Sequence, residues 1–255
     1  MDPLAAIGAS EDAEIRIDEA ALHLAAADRH RVDLTPSLAL LESFGARLPR
    51  ALQHATRRAE ALAGLLAGAE DFRGDSADYD APRNADLLAV LARRRGLPIA
   101  LAILYVGTAL RAGWDARVLA LPGHVLVGVE GGGEWVLLDA FAGGTPVDAA
   151  AVRPGGEAGP QGAAWLGNRE TLVRLVMNQA SRARAAGDSA RALTLYRRLT
   201  LVAPAMPALW WERARLEQQA GDTQAARRSL AAMRETTRDP ALSHRIRQAY
   251  EALAR

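Results

Sequence analysis

Two polar side chains interrupt apolar, β-branched stretches near the middle of this 255-residue chain: His124 in Leu121-Pro122-Gly123-His124, and Asp139 in Leu138-Asp139-Ala140-Phe141. Between them Gly131-Gly132, flanked by Glu130 and Gly133, suits a two-residue hairpin turn. Pairing Glu130 with Gly133 sets Gly128 against Trp135, Leu126 against Leu137 and His124 against Asp139. Directly opposed residues hold their Cβ atoms about 5 Å apart on one face of a sheet. Val125, Val127, Val129, Val136 and Leu138 then fill the other face. A carboxylate placed there fixes the tautomer of the imidazole, as the Asp of an acyl-transfer triad does. The same geometry also serves as a cross-strand polar pair that satisfies itself, and a slip of one residue would destroy it. The thiol that such a pair would activate is missing, because the chain contains no cysteine.

The elements that must position this pair follow from periodicity and punctuation. Residues 14–31 carry a helical apolar pattern, Thr35-Pro36 opens a second helix and Pro49 a third, with Arg57, Arg58 and Glu60 facing water. Residues 72–84 are polar and turn-rich, a loop. A short helix over 86–95 ends at Gly96; its Arg93-Arg94-Arg95 reads as a solvated helix end. Residues 97–111 are apolar all round, a buried helix stopped by Gly113. Strands are expected over 116–120, 125–130 and 134–139.

Composition narrows the function classes. The 31 basic residues, all Arg, nearly balance 30 acidic ones, so no global field draws in nucleic acid or an anionic membrane. Without Cys there are no disulfides or thiolate metal sites; His23, His30, His54 and His244 lack metal-ligand spacing, and Gly131-Gly132-Gly133 precedes no helix that would make it a phosphate loop. No cofactor or metal is expected. The first ten residues carry no basic export signal and read as a flexible N-terminus, while the apolar run over 97–110 falls short of the ~20 residues of a membrane span. A soluble, cytoplasmic protein is the expectation.

The Gly- and Pro-rich stretch over 151–164 reads as a linker, dividing residues 11–150 from a helical region over 165–255. In the latter, Ala186-Gly187-Asp188 recurs as Ala220-Gly221-Asp222, a displacement of 34 residues. At that offset Ala192 maps to Ala226 and Leu199 to Met233. This region resembles tetratricopeptide repeats, helix-turn-helix units that present a groove to a peptide or protein. Trp210 takes a core position of the repeat, which leaves Trp211 as a surface candidate for ligand binding.

Phe72-Arg73-Gly74, Tyr79, Pro82-Arg83-Asn84, Arg95-Gly96-Leu97-Pro98-Ile99, Pro122-Gly123-His124 and Asp139 with Gly143-Gly144 occur in an order that resembles the SirB family of bacterial proteins. The resemblance implies an α+β transglutaminase-like (papain-like) core with N-terminal helices, followed by the all-α repeats. It places the nucleophile at the start of the long helix, where this chain has Pro98-Ile99-Ala100, and a methyl group cannot attack. It gives Arg83 and Asn84 a place lining or bracing a cleft. The expectation is therefore a non-catalytic or vestigial transglutaminase-like protein that acts as a protein-interaction or regulatory module. The alternative is a hydrolase or acyltransferase using His124 and Asp139 with water or a non-cysteine nucleophile. Partners are expected to be proteins or peptides, with neither nucleic acid nor membrane.

Overall fold

Asp2 and Pro3 begin the chain with a helix-start signal, and the computed structural model, which describes residues 2–148, 152 and 163–253, has α1 at Pro3–Ala9. The Asp2 side chain accepts the Leu4 N–H at 2.9 Å, and Pro3 occupies the first turn, where its missing N–H is no loss. The first residues are thus a capped helix instead of the flexible segment expected. Leu4 is buried, and Gly8 fits so closely against α8 (Ser189–Val202) that an added Cβ would lie 2.0 Å from the Leu201 carbonyl oxygen.

The chain divides into two compact units: residues 11–175, here the core unit, and residues 1–10 with 176–255, the helical-repeat unit. The core unit begins with α2 (Ile17–Ala26), α3 (Thr35–Arg47) and α4 (Ala55–Ala63), the last continued by a π-turn at Gly64–Ala69. β1 (Arg73–Gly74) and β2 (Arg95–Gly96) form a two-stranded parallel ladder on either side of α5 (Leu87–Arg93). α6 (Pro98–Arg111) follows, with every residue from Pro98 to Ala109 buried. A five-stranded antiparallel sheet in the order β6-β5-β4-β3-β7 completes the unit: β3 (Ala116–Leu121), β4 (His124–Gly131), β5 (Glu134–Asp139), β6 (Thr145–Val147) and β7 (Ala164–Leu166).

Several boundaries differ from the sequence reading. The third helix starts at Ala55, not Pro49, and Arg58 is mostly buried, donating to the Leu52 and Glu130 carbonyls at 2.7 Å. Most of the expected linker, 151–164, lies outside the described residues, but Ala164 already pairs with Ala120 in the sheet, and the unit boundary falls inside α7 (Asn168–Ala185). The core unit therefore closes its sheet with a strand from beyond the Gly/Pro-rich stretch, a pairing that local composition does not encode.

A buried ion cluster ties the helices together. Arg111, at the end of α6, binds both carboxylate oxygens of buried Asp18 at 2.7 and 3.2 Å and also reaches Glu19 and Glu42. Burial opposes its charge, but these carboxylates more than offset that and push its pKa up. Gly107 makes room for the pair: a Cβ there would lie 2.6 Å from the Asp18 carboxylate.

The helical-repeat unit adds α9 (Pro207–Gln219), α10 (Thr223–Thr236) and α11 (Pro240–Ala252). The two Ala-Gly-Asp copies play one structural part twice. Gly187 and Gly221 take φ of +74° and +80°, and Asp188 and Asp222 cap the next helix through the Arg191 and Ala225 N–H groups. Trp211, the surface candidate, is half-buried. It packs with Ala214, Leu230, Met233 and Ile246, and Arg245 stacks on its ring at 4.3 Å.

Candidate functional site

His124 opens β4 because the preceding turn leaves it no other place. Leu121 pairs with His124 across Pro122-Gly123; Pro122 fixes its own φ and Gly123 takes φ +74°, the pattern of a type II turn. Arg174 braces the same turn, donating to the Leu121 and His124 carbonyls at 3.1 and 3.2 Å. Asp139 ends β5. Its Oδ1 accepts the Phe141 and Ala142 N–H groups at 2.9 and 3.1 Å, which locks the carboxylate, and Gly144 N–H closes the turn on its carbonyl at 2.8 Å.

The two side chains meet: His124 Nε2 lies 3.0 Å from Asp139 Oδ2. The register that brings them together is not the one expected. Gly131 pairs with Glu134, so the turn is Gly132-Gly133, whose φ values of +65° and +82° fit a type I′ hairpin. Glu130 faces Trp135, and the ladder continued puts Asp139 across from Leu126. His124 therefore reaches Asp139 on the diagonal. A shift of two residues keeps every side chain on its face, whereas a shift of one would have parted them.

Burial raises the Asp139 pKa, but the His124 hydrogen bond and the Ala142 and Phe141 N–H groups bring it below the ordinary carboxylate range. When the imidazole is neutral, an ionised Asp139 selects the tautomer with its proton on Nε2. Nδ1 then carries the lone pair, and it takes no hydrogen bond among the described residues.

Ala100 sits in the first turn of α6, with Pro98 at the start, and is 1% exposed. The strand leading into this helix is joined to the Asp139 turn by backbone hydrogen bonds. Asp75 N–H donates to the Gly96 carbonyl at 3.2 Å, and Gly74 N–H donates to the Phe141 carbonyl at 2.9 Å. Gly74 is required there, since a Cβ would lie 2.4 Å from the Phe141 ring. Tyr79 packs edge-on against Phe141 at 5.7 Å and stays 39% exposed. Tyr79 and Phe141 thus form an aromatic shelf two residues from Asp139, which the sequence reading left unassigned. Tyr79 stood in the motif order of the resemblance and Phe141 in the Leu-Asp-Ala-Phe run, but neither was given a role.

Asn84 is a brace. Fully buried, its Nδ2 donates to the Asp78 carbonyl at 2.7 Å, its Oδ1 accepts from Arg93 at 2.8 Å, and its carbonyl receives the Leu97 N–H at 2.8 Å. Arg83 holds Asp78 at the exposed surface of the same loop. The three consecutive arginines are not a solvated helix end. Arg93 binds Asp75 at 2.6 Å and holds that carboxyl below its usual range, Arg94 lies over Phe72 at 4.6 Å, and Arg95 reaches Asp71 at 3.0 Å. A cavity of about 610 Å³ opens at the other end of α6, beside Gly107, Arg111, Arg117 and Trp165, and the His124/Asp139 pair does not line it.

A buried long helix beside an antiparallel sheet whose neighbouring strands carry His124 and Asp139 describes one architecture. The transglutaminase-like superfamily profile matches residues 19–157. The chain belongs to the transglutaminase-like superfamily. Residues 180–251 match the tetratricopeptide repeat. Within this superfamily the chain is similar to two proteins called UPF0162 protein in Xylella fastidiosa. With that of strain Temecula1 it is 36% identical over 118 residues, 42% of this chain and 42% of that one; with that of strain 9a5c, 37% over 82 residues, 32% and 29%. The matches thus span less than half the length of these relatives. The chain has no cysteine, and among its described residues no helix is long and apolar enough to cross a membrane.

Proposed function

We propose that this chain is a non-catalytic, SirB-type transglutaminase-like protein of the cytoplasm that works as a protein-interaction or regulatory module. The observation that carries the reading is a chain without cysteine that has alanine in the first turn of α6 and keeps a His124–Asp139 hydrogen bond. Removing the nucleophile of a catalytic triad costs on the order of 10⁶ in turnover. What remains is suited to recognition: an imidazole with an open nitrogen, an aromatic shelf at Tyr79 and Phe141, and a loop stiffened by Asn84 and Arg93. The helical repeats supply a protein-binding surface.

A second reading rests on the same pair, since Nδ1 is free to act as a base toward water. A broad ester and amide screen on the wild-type chain and on His124→Ala separates the two. The expected result is no turnover above that of His124→Ala; turnover that disappears with His124 would make the protein a hydrolase or acyltransferase and end the non-catalytic reading.

A further inference from the structure

The charge balance of the whole chain conceals a division between its two units. The helical-repeat unit holds fourteen arginines against eight acidic residues, a net of +6, whereas the core unit holds seventeen against twenty-two, a net of −5. Most of the acidic residues in the repeat unit are already occupied. Asp2, Asp188, Asp222 and Asp239 each cap a helix through a backbone N–H. Glu212 pairs with Arg184 and Arg215, and fully buried Glu217 holds Arg213 and Ser229. The four capping aspartates stay exposed but are committed to their own helix starts, which leaves Glu235 and Glu251 as the acidic side chains of this unit with no hydrogen bond or ion pair among the described residues.

Against these two, α10, α11 and their connection expose Arg228, Arg234, Arg238 and Arg247, and none of the four forms an ion pair among the described residues. Two further arginines of these helices lie over aromatic rings. Arg245 stacks on Trp211 at 4.3 Å, and Arg227 stacks on Tyr250 at 4.4 Å. A stacked guanidinium keeps its in-plane N–H groups for a carboxylate, so these two hold their place while still able to donate.

We propose that the α10/α11 surface docks an acidic segment of a partner protein, with the partner's Asp and Glu side chains received by Arg228, Arg234, Arg238 and Arg247. The proposal rests on the interaction reading above and adds the chemistry of the partner. A short acidic segment needs only the local field, which reaches about 8–10 Å at physiological salt. An extended polyanion would meet the field of a chain whose net charge is only +1.

The test uses the full chain and the triple variant Arg228→Glu, Arg234→Glu, Arg238→Glu, with circular dichroism to check that the variant is folded. The probes are a fluorescent Glu-rich peptide and a single-stranded oligonucleotide of equal charge. The wild type should bind the peptide, lose affinity as salt rises, and lose about tenfold or more in the triple variant, in line with the charge reversal. Arg57→Glu, an exposed change in the core unit, should bind as the wild type does. Equal peptide binding by the triple variant, or tighter binding of the oligonucleotide, overturns the proposal. If crosslinked protein partners are recovered equally with wild type and triple variant, the acidic docking surface fails while the interaction reading stands. If neither chain recovers any, both fail.

Discussion

In the proposed function residue 100 is the vacant nucleophile position, and His124 is the imidazole that would have served it. In Ala100→Cys the thiol would feel the helix N-terminus and the imidazole, which favour the thiolate, against burial, which opposes it. The expected balance is a thiol pKa below the ~8.5 of free cysteine, read from thiolate absorbance against pH because a buried thiol reacts slowly with reagents. In Ala100→Cys/His124→Ala the pKa should rise; an unchanged value would show that the imidazole does not act on residue 100. Asp139 gives a second prediction. Its folded pKa is depressed, so its contribution to stability is full above the unfolded value of ~3.9 and is lost as pH falls through the lower folded value. Unfolding of wild type and Asp139→Asn should differ most at neutral pH and converge in acid; a gap that widens on acidification would contradict the assignment. Both residues were legible because a lone polar side chain in an apolar strand stands out. The pairing of Tyr79 with Phe141 was not, since Phe141 is contributed by a distant turn.

Among the elements, the two-residue ladder of β1 and β2 has more influence than its size suggests, because it joins the entry of α6 to the turn bearing Asp139. Gly74→Ala would drive a methyl into the Phe141 ring. We expect a loss of about 1–3 kcal/mol, the range for overpacking, and a wider His124 to Asp139 separation, visible as a changed imidazole chemical shift. A variant as stable as wild type with an unchanged shift would mean that the ladder does not position the turn. Arg111→Met should cost about 3–5 kcal/mol, because it leaves Asp18 buried without its partner; a neutral effect in chemical denaturation would show that the cluster is dispensable. The periodic elements, α6, β3 to β5 and the repeats, could be read from sequence to within a few residues. The hairpin register was misread because three consecutive glycines allow the turn at either pair, and the choice is made by pairing partners, not by the glycines. The three arginines were misread because their acceptors, Asp71, Asp75 and the Phe72 ring, lie outside their own helix.

At the scale of the molecule, composition suggested a division at the Gly/Pro-rich stretch, but contacts set it inside α7, with the first ten residues belonging to the second unit. Sequence periodicity cannot reveal such an arrangement, since it depends on pairing between distant segments. Deleting residues 1–10 should therefore raise amide exchange in α8, whose surface near Leu201 loses its cover, and leave β3 to β5 as protected as before. Faster exchange in the strands instead would place α1 with the wrong unit. The seating of Gly8 against Leu201 also has a consequence during synthesis. α1 is translated nearly two hundred residues before its seat, a wait of roughly 10–40 s at typical elongation rates. Through that interval a short apolar helix stands without its partner while the whole core unit emerges behind it.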